Sequence, residues 1–167
     1  TFNGNAFVDI TFLKDFKFTF NVGTTVNEIR YYTTTNPYYG FGAEQNGTVT
    51  MYHYRTTTLN LQQILNYSHN FGKHNISVML GHESYKYNYA ELSASKKNMF
   101  SYWGNHELNG AVIDGSSAAS YSNDYNTEGY FFRALYDYDA KYYFSASYRR
   151  DASSRFHPDH WWGNFYS

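Results

Sequence analysis

The feature that most narrows what this chain can fold into is a strict two-residue alternation, confined to one end of each long strand candidate. Phe16, Phe18, Phe20 and Val22 share a parity free of charge, while Lys17, Thr19, Asn21 and Gly23 take the other. Ile76, Val78 and Leu80 alternate in the same way with Ser77, Met79 and Gly81, and Tyr142, Phe144, Ala146 and Tyr148 alternate with Tyr143, Ser145, Ser147 and Arg149. Successive side chains of a strand point to opposite faces, so each segment has one greasy side and one wet side. The fold class that follows is all-β, built from antiparallel hairpins.

The links between strands alternate short and long. Leu13 to Asp15, Phe71 to His74 and Asp137 to Ala140 leave room only for antiparallel turns. Asn36 to Asn46, Lys96 to Asp124 and Arg150 to His160 are wide, and Asn105 to Ser122 reads as an exposed loop. The strand candidates between them are Asn5–Phe12, Phe16–Thr35, Gly47–Asn70, Ile76 to Ser95, Tyr130–Tyr138, Tyr142 to Arg149 and a start at Trp161. In the long strands the clean alternation lies beside the tight turns, and the mixed Tyr/Thr/charged halves lie beside the wide links. About ten residues of tilted strand cross the hydrocarbon of a membrane, so strands twice that length would cross and then project into water. Outer-membrane barrels do this, with tight turns on the periplasmic side and large loops outside. On that reading Ser117 is accessible from outside the cell and Lys73 is not. A soluble sandwich has no reason to confine its two-faced segments to one end of every hairpin.

Register can be anticipated at one hairpin. With Asn70 opposite Asn75, Leu65 falls opposite Leu80 and Tyr67 opposite Val78, so the greasy faces coincide. Gln63 and Ile64 interrupt the pattern, and a bulge or a local error in the alternation is expected there.

Composition agrees with segregation. The chain has 20 Tyr, 14 Phe and only 2 Pro, yet its mean hydropathy is −0.67, because averaging hides a surface half in oil and half in water. A secreted all-β domain is the competing reading, since its strands are also aromatic and alternating. No run of eighteen apolar residues exists, so no transmembrane helix is encoded. The absence of cysteine excludes disulfides and thiolate metal sites. A net charge of −1 gives no case for a nucleic-acid partner. The chain opens on Thr1 without an apolar signal segment and stops as a strand begins, which reads as a fragment, residues 1–167 being part of one barrel domain.

Catalytic chemistry finds no support: there is no phosphate-cradling glycine loop, nucleophile elbow or paired carboxylate. No enzyme activity, cofactor or metal is expected, and His157-Pro158-Asp159-His160 reads as a solvated loop. Arg149-Arg150-Asp151-Ala152-Ser153-Ser154-Arg155 is the densest charge cluster. One reading makes it a contact for an anionic headgroup, substrate or partner; the favoured one has Asp151 bridged by neighbouring arginines to hold the loop. Alternation carried past Glu83 places Tyr85, Tyr87 and Tyr89 opposite the Ile76/Val78/Leu80 face, and the same count sends Tyr52 and Tyr54 to that wet side. These five are the candidate lumen and ligand contacts, because flat rings in a wet vestibule stack on sugars or peptides. Packing of the same rings against a plug or loops is the alternative. Tyr67, Tyr142 and Tyr148 lie on the outward parity.

Two blocks carry a family resemblance. GYFFRALYDYDAKYYFSASYRRDASSRF, followed by WWGNFYS, resembles the late-barrel signature of SusC/RagA-type TonB-dependent outer-membrane transporters, GYFGRLNYDYKGKYLLTASLRRDGSSRFG and then RWGTFPS. FGKHNISVMLGHESYKYNYAELSAS, from Phe71 to Ser95, resembles the same family's GKHN hairpin and LSAS segment, and FLKDFKFTFNVG from Phe12 matches more loosely. The signature loop comprises Arg149, Arg150, Asp151, Ser153, Ser154, Arg155 and Phe156. Ala152 and His157 stand where glycine is usual, Trp161 where a basic residue is usual and Tyr166 where proline is usual. The resemblance implies a barrel of about 22 strands, an N-terminal plug, coupling to TonB and a SusD-like surface lipoprotein. It also implies uptake of oligosaccharides or peptides across the outer membrane of a Gram-negative, Bacteroidetes-like bacterium. Another TonB-dependent receptor or a porin shares the hairpin logic without these blocks. A soluble glycan-binding module would need closed edges and a shared interior for Phe18, Val78 and Phe144.

Overall fold

The computed structural model describes residues 1–104 and 106–167, and the side chains of all of these but 113–117. Seven strands form one antiparallel meander in chain order: β1 (Phe2–Phe12), β2 (Phe16–Thr35), β3 (Thr48–Phe71), β4 (His74–Met99), β5 (Ala111–Tyr138), β6 (Tyr142–Ser153) and β7 (Trp162–Tyr166). Short 3-10 turns at Gly40–Gln45, Leu108–Gly110 and Pro158–His160 shape the wide links. Within the described residues the sheet does not close, and β1 and β7 each have a single neighbour.

The chain divides into two compact units, one of Phe2–Thr25, Thr58–Tyr87 and Asp124–Ser167, the other of Thr1, Val26–Thr57 and Asn88–Asn123. The first, the turn unit, contains all three tight turns. Asp139 and Ala140 both take positive φ, at 51° and 53°, and the Lys141 N–H closes on the Tyr138 carbonyl at 2.9 Å, the arrangement of a type I′ hairpin turn. Gly72 holds φ 68° at the first central position of the β3–β4 turn, where a side chain would be strained. The turns are tied to their neighbours. Asp15 accepts from the Ser68 N–H at 2.9 Å and its carboxylate meets His69 at 2.8 Å; the Asp139 N–H donates to the Lys73 carbonyl at 2.7 Å. The Asp139 carboxylate lies 3.3 Å from Lys73 and 3.0 Å from Lys141.

Register in this unit follows the alternation. The Asn70 side chain donates to Asn75, Ser68 meets Ser77 at 3.3 Å and Gln63 meets His82 at 2.8 Å. All three stand in the register anticipated for the hairpin, with Leu65 opposite Leu80 and Tyr67 opposite Val78. The expected bulge at Gln63 and Ile64 is absent: β3 is continuous, and Gln63 reaches its cross-strand partner without an inserted residue. Hydrogen bonding to His82 is what places a glutamine on the otherwise apolar parity. Between β5 and β6, Phe132 faces Tyr148, Ala134 faces Ala146 and Tyr136 faces Phe144, so the greasy rows coincide there as well.

In the second, loop unit, the first wide link spans 36–47, close to its expected bounds, and the second is shorter than the sequence suggests. β4 runs to Met99 and β5 begins at Ala111, so the link expected over Lys96 to Asp124 shrinks to 100–110, and most of the stretch read as a loop from Asn105 to Ser122 is strand. Asn105 and the side chain of Ser117 lie outside the described residues. Over 118–124 every residue is exposed, so no apolar parity reveals the strand, while its backbone is satisfied by the ladder of its neighbours. The same effect extends β6 to Ser153.

Among the described residues, the buried apolar side chains all lie in the loop unit. Val49, Met99 and Ala111 are the buried apolar residues among those described, with Leu108 packed against them. Phe18 and Val78 are half-exposed and Phe144 is 65% exposed. The shared interior that a soluble module requires of these three is therefore not formed.

Candidate functional site

β2, β3, β4 and β5 each contribute tyrosines to two aromatic clusters, one in each unit. In the loop unit Tyr31 stacks on Tyr52 at 4.7 Å and meets Tyr54 edge-on at 6.2 Å. Tyr54 lies 6.2 Å from Tyr89, which lies 6.2 Å from Tyr121. The Tyr89 hydroxyl donates to Glu91 at 2.7 Å. Alternation explains the gathering: Tyr52 and Tyr54 share a parity on β3, and their cross-strand neighbours on β2 and β4 supply Tyr31 and Tyr89. In the turn unit Tyr87 stacks on Tyr125 at 4.9 Å, Tyr85 approaches the same ring at 6.0 Å, and the Arg155 guanidinium covers it at 3.9 Å.

The five tyrosines singled out from the sequence thus fall into two groups, Tyr52, Tyr54 and Tyr89 in one and Tyr85 and Tyr87 in the other. Tyr31, Tyr121 and Tyr125 join them unannounced. Tyr121 and Tyr125 lie in, or just beyond, the stretch that read as a wide link. Arg155 belonged to the signature loop, and nothing in its spacing linked it to a tyrosine on β5. Desolvation raises the Tyr85 phenol above the usual tyrosine range, aided by its hydrogen bond with Tyr125. Desolvation, followed by Tyr52 and Tyr54, does the same at Tyr31. Both therefore stay neutral at any physiological pH and present hydroxyls beside ring faces, a surface suited to stacking with lateral hydrogen bonds.

The signature loop is organised by strand parity. Arg149 and Asp151 share one face of β6, and the Arg149 Nε–H donates to both carboxylate oxygens of Asp151 at 2.8 Å, with Glu83 3.6 Å from the guanidinium. Arg150, on the other face, takes no part in holding Asp151; it lies over the Trp162 ring at 4.7 Å. The expected bridge to Asp151 is therefore made by one arginine, because consecutive strand residues cannot reach the same side. Ser154 closes the loop, donating its N–H to the Asn126 carbonyl at 3.0 Å and accepting the Asn126 N–H on Oγ at 2.9 Å. Ser153 Oγ accepts from the Arg155 N–H at 3.3 Å. The Phe156 carbonyl accepts the Trp161 indole N–H at 2.7 Å. The loop is a backbone device with its cations displayed at the rim.

No protein-family profile matches the chain. Over 163 residues it is 29% identical to the TonB-dependent receptor P3 of Formosa agariphila, a match covering 93% of this chain and 16% of that receptor. Among solved structures, the RagAB peptide transporter aligns over 98% of the chain and 18% of its own, with TM-score 0.88 and 24% identity. The RagAB peptide importer in its "open-open" state aligns with TM-score 0.86 and 25% identity, again over 98% of the chain and 18% of its own. The chain thus spans less than a fifth of the length of these relatives. Sequence and fold meet the SusC/RagA resemblance from two sides: this chain is a relative of the TonB-dependent receptors, with the fold of a stretch of the β-barrel wall of RagA-type transporters.

Proposed function

We propose that this chain forms part of the lipid-embedded wall of an outer-membrane, TonB-dependent nutrient importer of a Gram-negative, Bacteroidetes-like bacterium. The importer works with a SusD-like surface lipoprotein, and its tyrosine clusters contact an oligosaccharide or peptide cargo. The observation that carries this reading is the turn unit itself: apolar rows of β2 to β6 stand half-exposed or exposed on one parity, with no buried apolar side chain beneath them among the described residues. In water such a sheet aggregates; in lipid the same face is satisfied, the backbone of β2 to β6 is paired on both sides, and β1 and β7 present the edges that the rest of a barrel would pair. Pairing with a lipoprotein follows from the SusC/RagA resemblance, and a peptide cargo is supported by the RagAB neighbours, which are peptide transporters. Energy from TonB would enter through the remainder of a protein of the relatives' length.

The tyrosines read as contacts because they are gathered against one another while each remains at least partly exposed. Aromatic contacts of this kind contribute about 0.5–1.5 kcal/mol beyond area burial. Replacing Tyr85 and Tyr87 with alanine in the full-length importer removes two such contacts and should therefore weaken cargo binding about 5- to 150-fold in an equilibrium titration, with uptake falling in parallel. Unchanged affinity and uptake would remove the tyrosines from the cargo path. Uptake that persists without TonB would remove the active-import reading altogether.

A further inference from the structure

The two arginines at the end of β6 differ in what surrounds them. Arg149 is paired with Asp151 and Glu83. Arg150, on the opposite parity, has no carboxylate within ion-pair distance among the described residues. Its guanidinium lies over the Trp162 ring at 4.7 Å, and that ring stacks on Tyr130 at 6.0 Å. The row is continuous by register, Arg150 standing opposite Tyr130 on β5 and Asn164 on β7. The nearby carboxylate, Glu128, is already engaged, accepting from the Tyr130 hydroxyl at 2.7 Å and meeting His82 at 3.1 Å. A guanidinium that spends its face on an aromatic ring keeps its N–H edge free for a planar, bidentate anion.

Position gives the anion its source. Arg150 is about ten residues beyond the Ala140 turn, which is one hydrocarbon crossing of tilted strand. Below it on the same parity, Tyr148, Phe144 and Tyr142 are exposed, Phe144 by 65% and Tyr142 by 71%. An uncompensated cation set on aromatic rings directly above an exposed apolar face matches an amphiphile with an anionic head and an acyl tail. We propose that Arg150, Trp162 and Tyr130 dock the phosphate headgroup of a lipid in the leaflet on the wide-loop side. The proposal rests on the membrane reading of the preceding subsection, and its test separates the two.

The full-length protein is placed in phosphatidylcholine nanodiscs doped with phosphatidate, then released into detergent, and retained lipid is counted by native mass spectrometry. Wild type and Arg155→Gln, whose cation stacks on Tyr125, should keep phosphatidate, whereas Arg150→Gln should keep about five-fold less. Millimolar inorganic phosphate should not displace it. Equal retention by Arg150→Gln, an equal loss in Arg155→Gln, or displacement by inorganic phosphate alone would each overturn the headgroup site. A protein that refuses the discs and stays monomeric in buffer would instead overturn the membrane reading, and the site with it.

Discussion

Gly81 and Phe131 show how much a single missing side chain decides. A Cβ built on Gly81 would lie 2.0 Å from two carbons of the Phe131 ring, which fills the space the glycine leaves on the neighbouring strand. The Arg149 guanidinium sits 5.6 Å above that ring, so the pair forms the floor of the charged cluster. Gly81→Ala should destabilise the barrel by about 1–3 kcal/mol through overpacking, read as a lowered urea midpoint of the reconstituted protein. Adding Gly81→Ala to Phe131→Ala should carry almost no further penalty, because the clash has lost one partner. Equal penalties in both backgrounds would show that the ring does not need the glycine.

At the scale of the strand, the two parities of β4 should respond oppositely to charge. Val78 belongs to the apolar row and Ser77 hydrogen-bonds Ser68 on the other side. A lysine facing the bilayer near its midplane costs about 2–4 kcal/mol, and one facing the lumen far less. Unfolding from lipid vesicles should separate Val78→Lys from Ser77→Lys by that margin; equal effects would mean that both faces meet the same solvent. This part of the fold was legible in the residues: β2 spans the expected Phe16–Thr35, and the Asn70–Asn75 register holds. What stayed hidden was the wet portion of β5, where neither parity is apolar, and the uninterrupted run through Gln63, whose polarity is answered by a histidine one strand away. The candidate site was visible in the same measure. Tyr52 and Tyr54 could be assigned to one side by counting, but Tyr125 under Arg155 depends on a loop returning to a distant strand, which no local pattern encodes.

For the whole molecule, the proposal fixes which margin faces outward. In full-length protein on intact cells, a cysteine at Tyr39, 72% exposed in the first wide link, should react with an impermeant maleimide, whereas one at Lys73 in a tight turn should react only after the membrane is opened. The reverse pattern would invert the orientation, and equal labelling would end the membrane assignment.

The ties among the tight turns have a mechanical consequence. Asp139 binds Lys73 and Lys141 at once and its backbone is pinned to the adjacent turn, while Asp15 is pinned to β3. Each exposed ion pair is weak, about 0–1 kcal/mol, but the ties run sideways between hairpins. An importer worked by traction from beneath would load this margin first, and the ties would share that tension among the three hairpins they join rather than leave it on one.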